Sequence, residues 1–237
     1  HGLALTSAQD VVTDVMVPQG AMSAPQFYAP VANRYRDRYG IDELDAAAFA
    51  LAMRRHAANN DLALMRDRPL TLEDYLASPV IADPFRVLDC CLVTDAAGAV
   101  VVASPAKARS LAKKPAWVIG TGEWATHANM VDMPDYTVTP AKYSGEQAFA
   151  MAGVTHKDID LAMIYDSFTY TVVVTLESLG FCKPGEGGDF VSNQRTAPGG
   201  DFPMNTNGGG LSYQHPGMYG IFTMIEAVRQ LRGETGE

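Results

Sequence analysis

The chain is poor in cysteine, in basic charge and in long apolar runs, and each shortage removes a class of protein. Three cysteines, Cys90, Cys91 and Cys182, stand among 237 residues. An odd count without paired spacing does not describe a disulfide framework. Vicinal Cys90 and Cys91 would also close a strained ring if joined to each other. Reduced thiols and a cytoplasmic location are therefore expected. Lys and Arg number 18 against 27 Asp and Glu, a formal net charge of -9. Phosphate binding needs a basic surface, so this balance argues against nucleic acid as the main partner. No apolar run reaches the ~18 residues that a membrane span requires. No signal peptide is visible at the start.

What is present is a core-forming composition: 47% of residues are hydrophobic and 19% charged. That fits one large domain or two smaller ones. The chain opens on "HGLALTSAQD", without Met, and stops at "RQLRGETGE" just after an apparent helix. It reads as part of a longer protein.

Residues 28–66 are rich in Ala, Arg and Asp and read as helices. "IDELDAAAFALAMRRHAANN" spaces Leu44, Ala48, Leu51 and Arg55 by three and four, with Asp42 as cap and Asn59-Asn60 as stop. Arg34, Arg36, Arg38, Arg54, Arg55, Arg66 and Arg68 gather positive charge here. They fit either a solvated helical face or a contact with an anionic group such as a nucleotide phosphate. Ala99 to Ala103 is a short Val-rich run expected as a buried strand. Ser104 and Pro105 then open a helix. "PAWVIGTGEWA" is a second strand candidate, and a helix is expected from about Pro140 to Ala152, with Gly153 ending it. "LAMIYDSF" reads as a strand running into a polar turn, and "TYTVVVTLESLGF" as a helix. Strands alternating with helices of about a dozen residues indicate an α/β domain with a largely buried sheet. Ligands of such sheets sit beyond the carboxyl ends of strands, and "YDSF" occupies such an end.

The densest signal is "MNTNGGGLSYQHPGMYG", residues 204–220. Consecutive glycines let main-chain N–H groups approach a ligand closely. Pro216 fixes the backbone directly after His215. The segment "GIFTMIEAVRQLRGE" that follows is an amphipathic helix, and its positive N-terminal end faces the loop. A developing oxyanion near His215 would be favoured there; a structural turn with an incidental histidine is the alternative. The spacing matches neither a phosphate loop nor a dinucleotide fingerprint.

"NTNGGGLSYQHPGMYG" resembles the Asn-x-x-Gly-Gly…Gly-His-Pro segment of the thiolase superfamily. "IYDSFTYTVVVTLESLGFCKPGEGGDFV" resembles the segment carrying Asn-Glu-Ala-Phe in ordinary thiolases and His-Asp-Cys-Phe in the sterol-carrier-protein type. "PFRVLDCCLVTDAAGAVVVAS" resembles the Asp-Gly-Ala-Ala-Ala strand of the same fold. Order and spacing agree, clearly from about residue 80 onward, and the chain looks most like the bacterial lipid-transfer-type members. The resemblance implies a five-layered α-β-α-β-α fold with mixed sheets. It divides the chain into the end of an N-terminal segment (1–20), an inserted loop domain (21–87), the last strand and helix of the first half (88–112) and the second half (113–237).

By the same resemblance, His215 holds a thioester oxygen. Tyr165 stands where the family has Asn or His, and Ser167 where it has Ala or Cys. None of the three cysteines matches the family's nucleophile, which is expected upstream of His1. Asn205, Gly208, Gly209, Gly210, Phe168 and Tyr213 are implied around the substrate, with Tyr213 able to supply a second phenol or simply to pack the loop. The implied activity is acyl transfer that makes or breaks a C–C bond next to a CoA thioester in lipid metabolism. The Tyr at 165 also resembles a branch that cleaves steroid side-chain CoA thioesters by a retro-aldol reaction, with a small zinc-ribbon/OB-fold partner. A non-catalytic lipid-CoA binding or transfer role is the third reading. No metal and no cofactor beyond substrate-borne coenzyme A are expected, and a homodimer or tetramer is implied.

Overall fold

The computed structural model describes residues 12–128 and 130–235. Residues 1–11, the larger part of the segment expected to finish an N-terminal unit, lie outside the described residues. The elements run α1 (Ala24–Tyr39), α2 (Glu43–Ala58), α3 (Leu72–Ala77), β1 (Val80–Ala82), β2 (Phe85–Arg86), α4 (Pro105–Arg109), α5 (Ala141–Ala152), α6 (Thr169–Leu179), α7 (Gly187–Val191), α8 (Gly209–Ser212) and α9 (Gly220–Arg232).

Local chemistry accounts for the helix ends. Asp42 accepts from the N–H groups of Leu44 and Asp45 at 2.8 and 3.1 Å and starts α2. Ser104 caps α4 through the N–H of Lys107. Gly153, Gly180 and Gly233 end α5, α6 and α9 in the left-handed conformation that a side chain resists.

Helix α2 packs against α6, α7 and α8, and α5 packs against α6. Phe49, Ala52 and Met53 of α2 meet Val172, Val173 and Leu176 of α6 in the main core, all essentially without solvent contact. The β-branched run 172–174 is helical, although three consecutive valines favour a strand in isolation. Burial against α2 overrides that preference. Phe168 and Phe85 stack at 4.7 Å and tie the start of α6 to the β1–β2 hairpin.

The sheet is where structure and sequence expectation part. β1 and β2 pair antiparallel, the only sheet formed among the described residues. The expected strand at 99–103 and the candidate at 115–122 form no regular structure and have no ladder partner among the described residues. Val101, Val102 and Val118 are 94%, 90% and 83% exposed rather than buried. The expected strand in "LAMIYDSF" makes two isolated bridges, Ala162 parallel to Met204 and Phe168 antiparallel to Cys90. A Val-rich run supplies side chains that suit a pleated surface, but a strand exists only where a second segment completes its hydrogen bonds. The helices and the small sheet are consistent with the implied fold; five layers are not seen among the described residues. No described helix is long and apolar enough to cross a membrane.

The arginines also separate. Arg36, Arg38 and Arg66 pair with Asp83, Asp135 and Asp61 at the surface. Arg54 is buried, donating to Ser212 Oγ at 3.1 Å and to the Arg68 carbonyl at 2.7 Å. Leu176→Ala should cost about 2–5 kcal/mol by urea unfolding, the range for a fully enclosed leucine. A loss below about 1 kcal/mol would mean that the α2–α6 seam is not the main core.

Candidate active site

The short extended strip Cys90–Thr94 is the seam on which the site is assembled. The Cys91 N–H donates to the Ser167 carbonyl at 3.0 Å, and the Leu92 N–H to the Gly210 carbonyl at 2.9 Å. The Thr94 N–H donates to the His215 carbonyl at 3.3 Å, while its Oγ1 accepts from the His215 N–H at 2.9 Å. One strip thereby holds the "YDSF" tip on one side and the glycine-histidine loop on the other.

Across this seam the Tyr165 hydroxyl meets His215 Nε2 at 2.6 Å, and it also reaches the Gly217 carbonyl at 3.2 Å. The rings meet edge to face, with centroids 5.5 Å apart. Tyr219 closes the group, 5.8 Å from Tyr165 and 6.4 Å from His215. Burial lowers the His215 pKa below its ordinary value and raises that of the Tyr165 phenol. Both groups are therefore neutral near pH 7. The phenol can donate to Nε2, or accept from it and donate to Gly217.

Tyr165 is 36% exposed and lines a cavity of about 370 Å³ together with Ser167. The cavity walls are mostly apolar, formed by Tyr28 and Val31 of α1, Met130 and Met133, and Val174 of α6. Thr171 and Thr175 of α6 add hydroxyls. The Ser167 hydroxyl lies 3.3 Å from Thr171 Oγ1.

The other candidate residues frame the pair. Phe168 is buried between Tyr28 and Phe85 and serves as a core residue. The Asn205 side chain spends both ends on Ile164, accepting from its N–H at 2.8 Å and donating to its carbonyl at 2.7 Å. The three glycines turn their N–H groups inward. Gly208 donates to the Asn205 carbonyl, Gly209 to Asn207 Oδ1 and Gly210 to Asp166 Oδ1. Gly208 and Gly209 have positive φ, and a Cβ at Gly209 would fall 2.0 Å from Asp166 Oδ2. Close approach is the reason for glycine here, and what approaches is the protein's own carboxylate. Tyr213 packs against Phe222 and lines a different cavity with Asp95 and Gln214.

Asp166 and Thr94 belong to the site and carry no motif signal of their own. Asp166 is fully enclosed; its carboxylate accepts from the N–H groups of Gly210 and Leu211 at 2.7 and 3.2 Å. Burial pushes its pKa up to about 7, against the pull of those donors. Burial likewise pushes the Cys91 thiol up to about 11, and those of Cys90 and Cys182 to about 12. All three stay protonated, which makes them poor nucleophiles.

A family model described as "Thiolase C-terminal domain-like" matches residues 122–237. The chain is 40% identical over 223 residues to 17-hydroxy-3-oxo-4-pregnene-20-carboxyl-CoA lyase of Mycobacterium tuberculosis, covering 91% of this chain and 57% of that protein. It is 31% identical over 253 residues to acetyl-CoA acetyltransferase of Methanothermobacter thermautotrophicus, covering all of this chain and 66% of that one. A solved structure, the Ltp2-ChsH2(DUF35) aldolase, superposes with a TM-score of 0.84 at 34% identity, over 92% of this chain and 58% of its own. The chain thus spans somewhat under three fifths of the lyase and the aldolase.

The burial of His215 has a direct signature. Its ring should titrate in an NMR experiment with a midpoint below 6.5, and Tyr165→Phe should displace that midpoint. A midpoint at or above 6.5 would place the ring in water or beside an acid.

Proposed function

Because the chain belongs to the thiolase superfamily, we propose that it takes part in breaking a C–C bond next to a CoA thioester, by retro-aldol cleavage of a bulky lipid-like acyl group. One observation carries this reading: a phenol on the wall of an apolar cavity, hydrogen-bonded at 2.6 Å to a histidine that burial keeps neutral. The likeness to a lyase and an aldolase favours cleavage over the acyl transfer expected from the sequence. The acetyltransferase likeness, at lower identity, supports the thioester chemistry common to both.

In the cleavage, the β-hydroxyl of the acyl chain gives up its proton and the Cα–Cβ bond breaks. The electron pair of that bond becomes a thioester enolate, while a C=O forms at Cβ. A proton delivered to Cα then leaves a shortened CoA thioester and a carbonyl compound. Neither water nor oxidant is consumed. Tyr165 is the group that touches substrate: its oxygen takes the hydroxyl proton as its own proton passes to His215 Nε2. The relay then runs back to supply Cα. His215 thus acts through Tyr165, a change from the direct contact with the thioester oxygen that the family resemblance implies. The low dielectric of the cavity strengthens each donor toward the enolate. The cavity takes the apolar acyl group, with Ser167 and the threonine hydroxyls of α6 beside it.

A partner protein is part of the proposal, since the solved neighbour is named as a complex with a DUF35 chain. A zinc-ribbon/OB-fold protein of that kind would complete the working enzyme, as would self-association of the thiolase-like chain.

In the full-length protein with its partner, Tyr165→Phe and His215→Ala should each lower kcat by ~100-fold or more, the scale of a general acid–base group. For wild type, kcat/KM should fall as pH drops through the depressed His215 pKa, because imidazolium cannot accept the relayed proton. Mass spectrometry of the products decides the reaction: a ketone with a shorter CoA thioester supports cleavage. An acyl-cysteine trapped on the protein would instead favour acyl transfer.

A further inference from the structure

We propose that Asp166 is a positioning residue, whose buried carboxylate sets the Tyr165–His215 hydrogen bond through the backbone of Gly210 and Leu211. This rests on reading Tyr165 and His215 as the reacting pair. Asp166 follows Tyr165 directly in the chain, and the two side chains part company there. The phenol goes to the cavity wall, whereas the carboxylate goes into the interior. The carboxylate grips the loop opposite at two consecutive N–H groups, 2.7 and 3.2 Å away.

Gly210 stands beside both groups. A Cβ there would sit 3.2 Å from the Asp166 carbonyl oxygen, 3.3 Å from Asp166 Oδ1 and 3.3 Å from His215 Cδ2, so a methyl would crowd the carboxyl group and the imidazole together. Gly209 lacks room for any side chain because of the same carboxylate. On its far side Gly210 is held by the Leu92 N–H. The backbone that carries His215 is therefore clamped between Asp166 and the 90–94 strip. Tyr165, covalently joined to Asp166, rides on one jaw of that clamp. The carboxylate fixes how far the phenol must reach. An amide at this position offers one acceptor and turns an NH2 toward the second N–H, which opens the clamp.

The test uses full-length protein labelled at histidine, with His215 assigned by its absence in His215→Ala. In Asp166→Asn the His215 titration midpoint should rise toward the ordinary 6.5 as the ring is released to water; loss of the carboxylate's charge by itself would lower it, so a fall overturns the positioning role. With the partner present, kcat should fall roughly 10- to 100-fold with KM little changed, the size of one charge-assisted hydrogen bond. The control is Glu177→Gln, which weakens another buried carboxylate that grips main-chain N–H groups, those of Gly185 and Gly187. It should lower stability yet leave the His215 midpoint in place. If Asp166→Asn fails to fold, Gly210→Ala inserts one methyl between carboxylate and ring with no change in charge, and should shift the same midpoint. An unmoved midpoint in the variant that folds, or an equal shift in Glu177→Gln, overturns the assignment. A wild-type protein inactive on every thioester, in which Asp166→Asn still moves the midpoint, would sink the proposed reaction and leave the positioning role standing.

Discussion

A carboxylate taken out of water is costly unless its lone pairs are satisfied, and the arrangement around Asp166 follows from that constraint. The group has no solvent contact, so its partners must come from the protein. They come from the backbone of Gly210 and Leu211. The same carboxylate leaves no room for a side chain at Gly209 and little at Gly210, whereas Gly208 is required by the approach of Ala57 on α2. The short helix α8 is then complemented at both ends, by Asp166 at its first N–H groups and by the buried Arg54 at Ser212. Arg54 extends from α2, so the loop is tied into the main core through a helix remote in sequence.

The core, in turn, is what lets the seam be rigid. Helix α6 begins at Phe168, whose ring is locked between Tyr28 and Phe85. The residues just before it, Tyr165 to Ser167, therefore leave a fixed point. A second buried carboxylate, Glu177, sits on the same helix and accepts from the Tyr35 hydroxyl and from the N–H groups of Gly185 and Gly187. Both acids follow one pattern: an enclosed carboxylate gathers a glycine-rich turn. One turn carries the histidine. The other joins α6 to α7.

The helices were legible because their ends are written locally. Asp42, Ser104, Gly153 and Gly180 each act within a few residues of themselves. The strands were not, because a strand depends on a neighbour that its own residues do not encode; 99–103 and 115–122 have suitable side chains and no partner among the described residues. The pairing of Tyr165 with His215, fifty positions apart, was legible only through the resemblance of the two motifs that contain them. Periodicity could not have joined them. Asp166 stands in "YDSF" with no signal of its own, since a polar triplet does not reveal which member turns inward. Pleat alternation next to an outward tyrosine was the available clue. Thr94 lay inside an apolar strip with no signal at all. Nothing local separates Arg54 from the other arginines, because its burial depends on the loop at 212, far along the chain.

Burial moves the two members of the reacting pair in opposite directions, the phenol up and the imidazole down. Each shift alone would make its group less reactive. Together they leave two neutral groups joined by a short hydrogen bond, with no charge enclosed at rest. A proton can then be accepted at one end only as another leaves toward the other end, so a charge appears only while substrate supplies a balancing enolate. The thiols nearby offer no such balance, since burial and the Asp166 carboxylate hold Cys91 protonated. Burial of the pair favours the neutral forms of phenol and imidazole, and the cavity that Tyr165 lines is mostly apolar. In the proposed reaction Tyr165 joins substrate preference to acid–base chemistry, since it lines the cavity and holds His215.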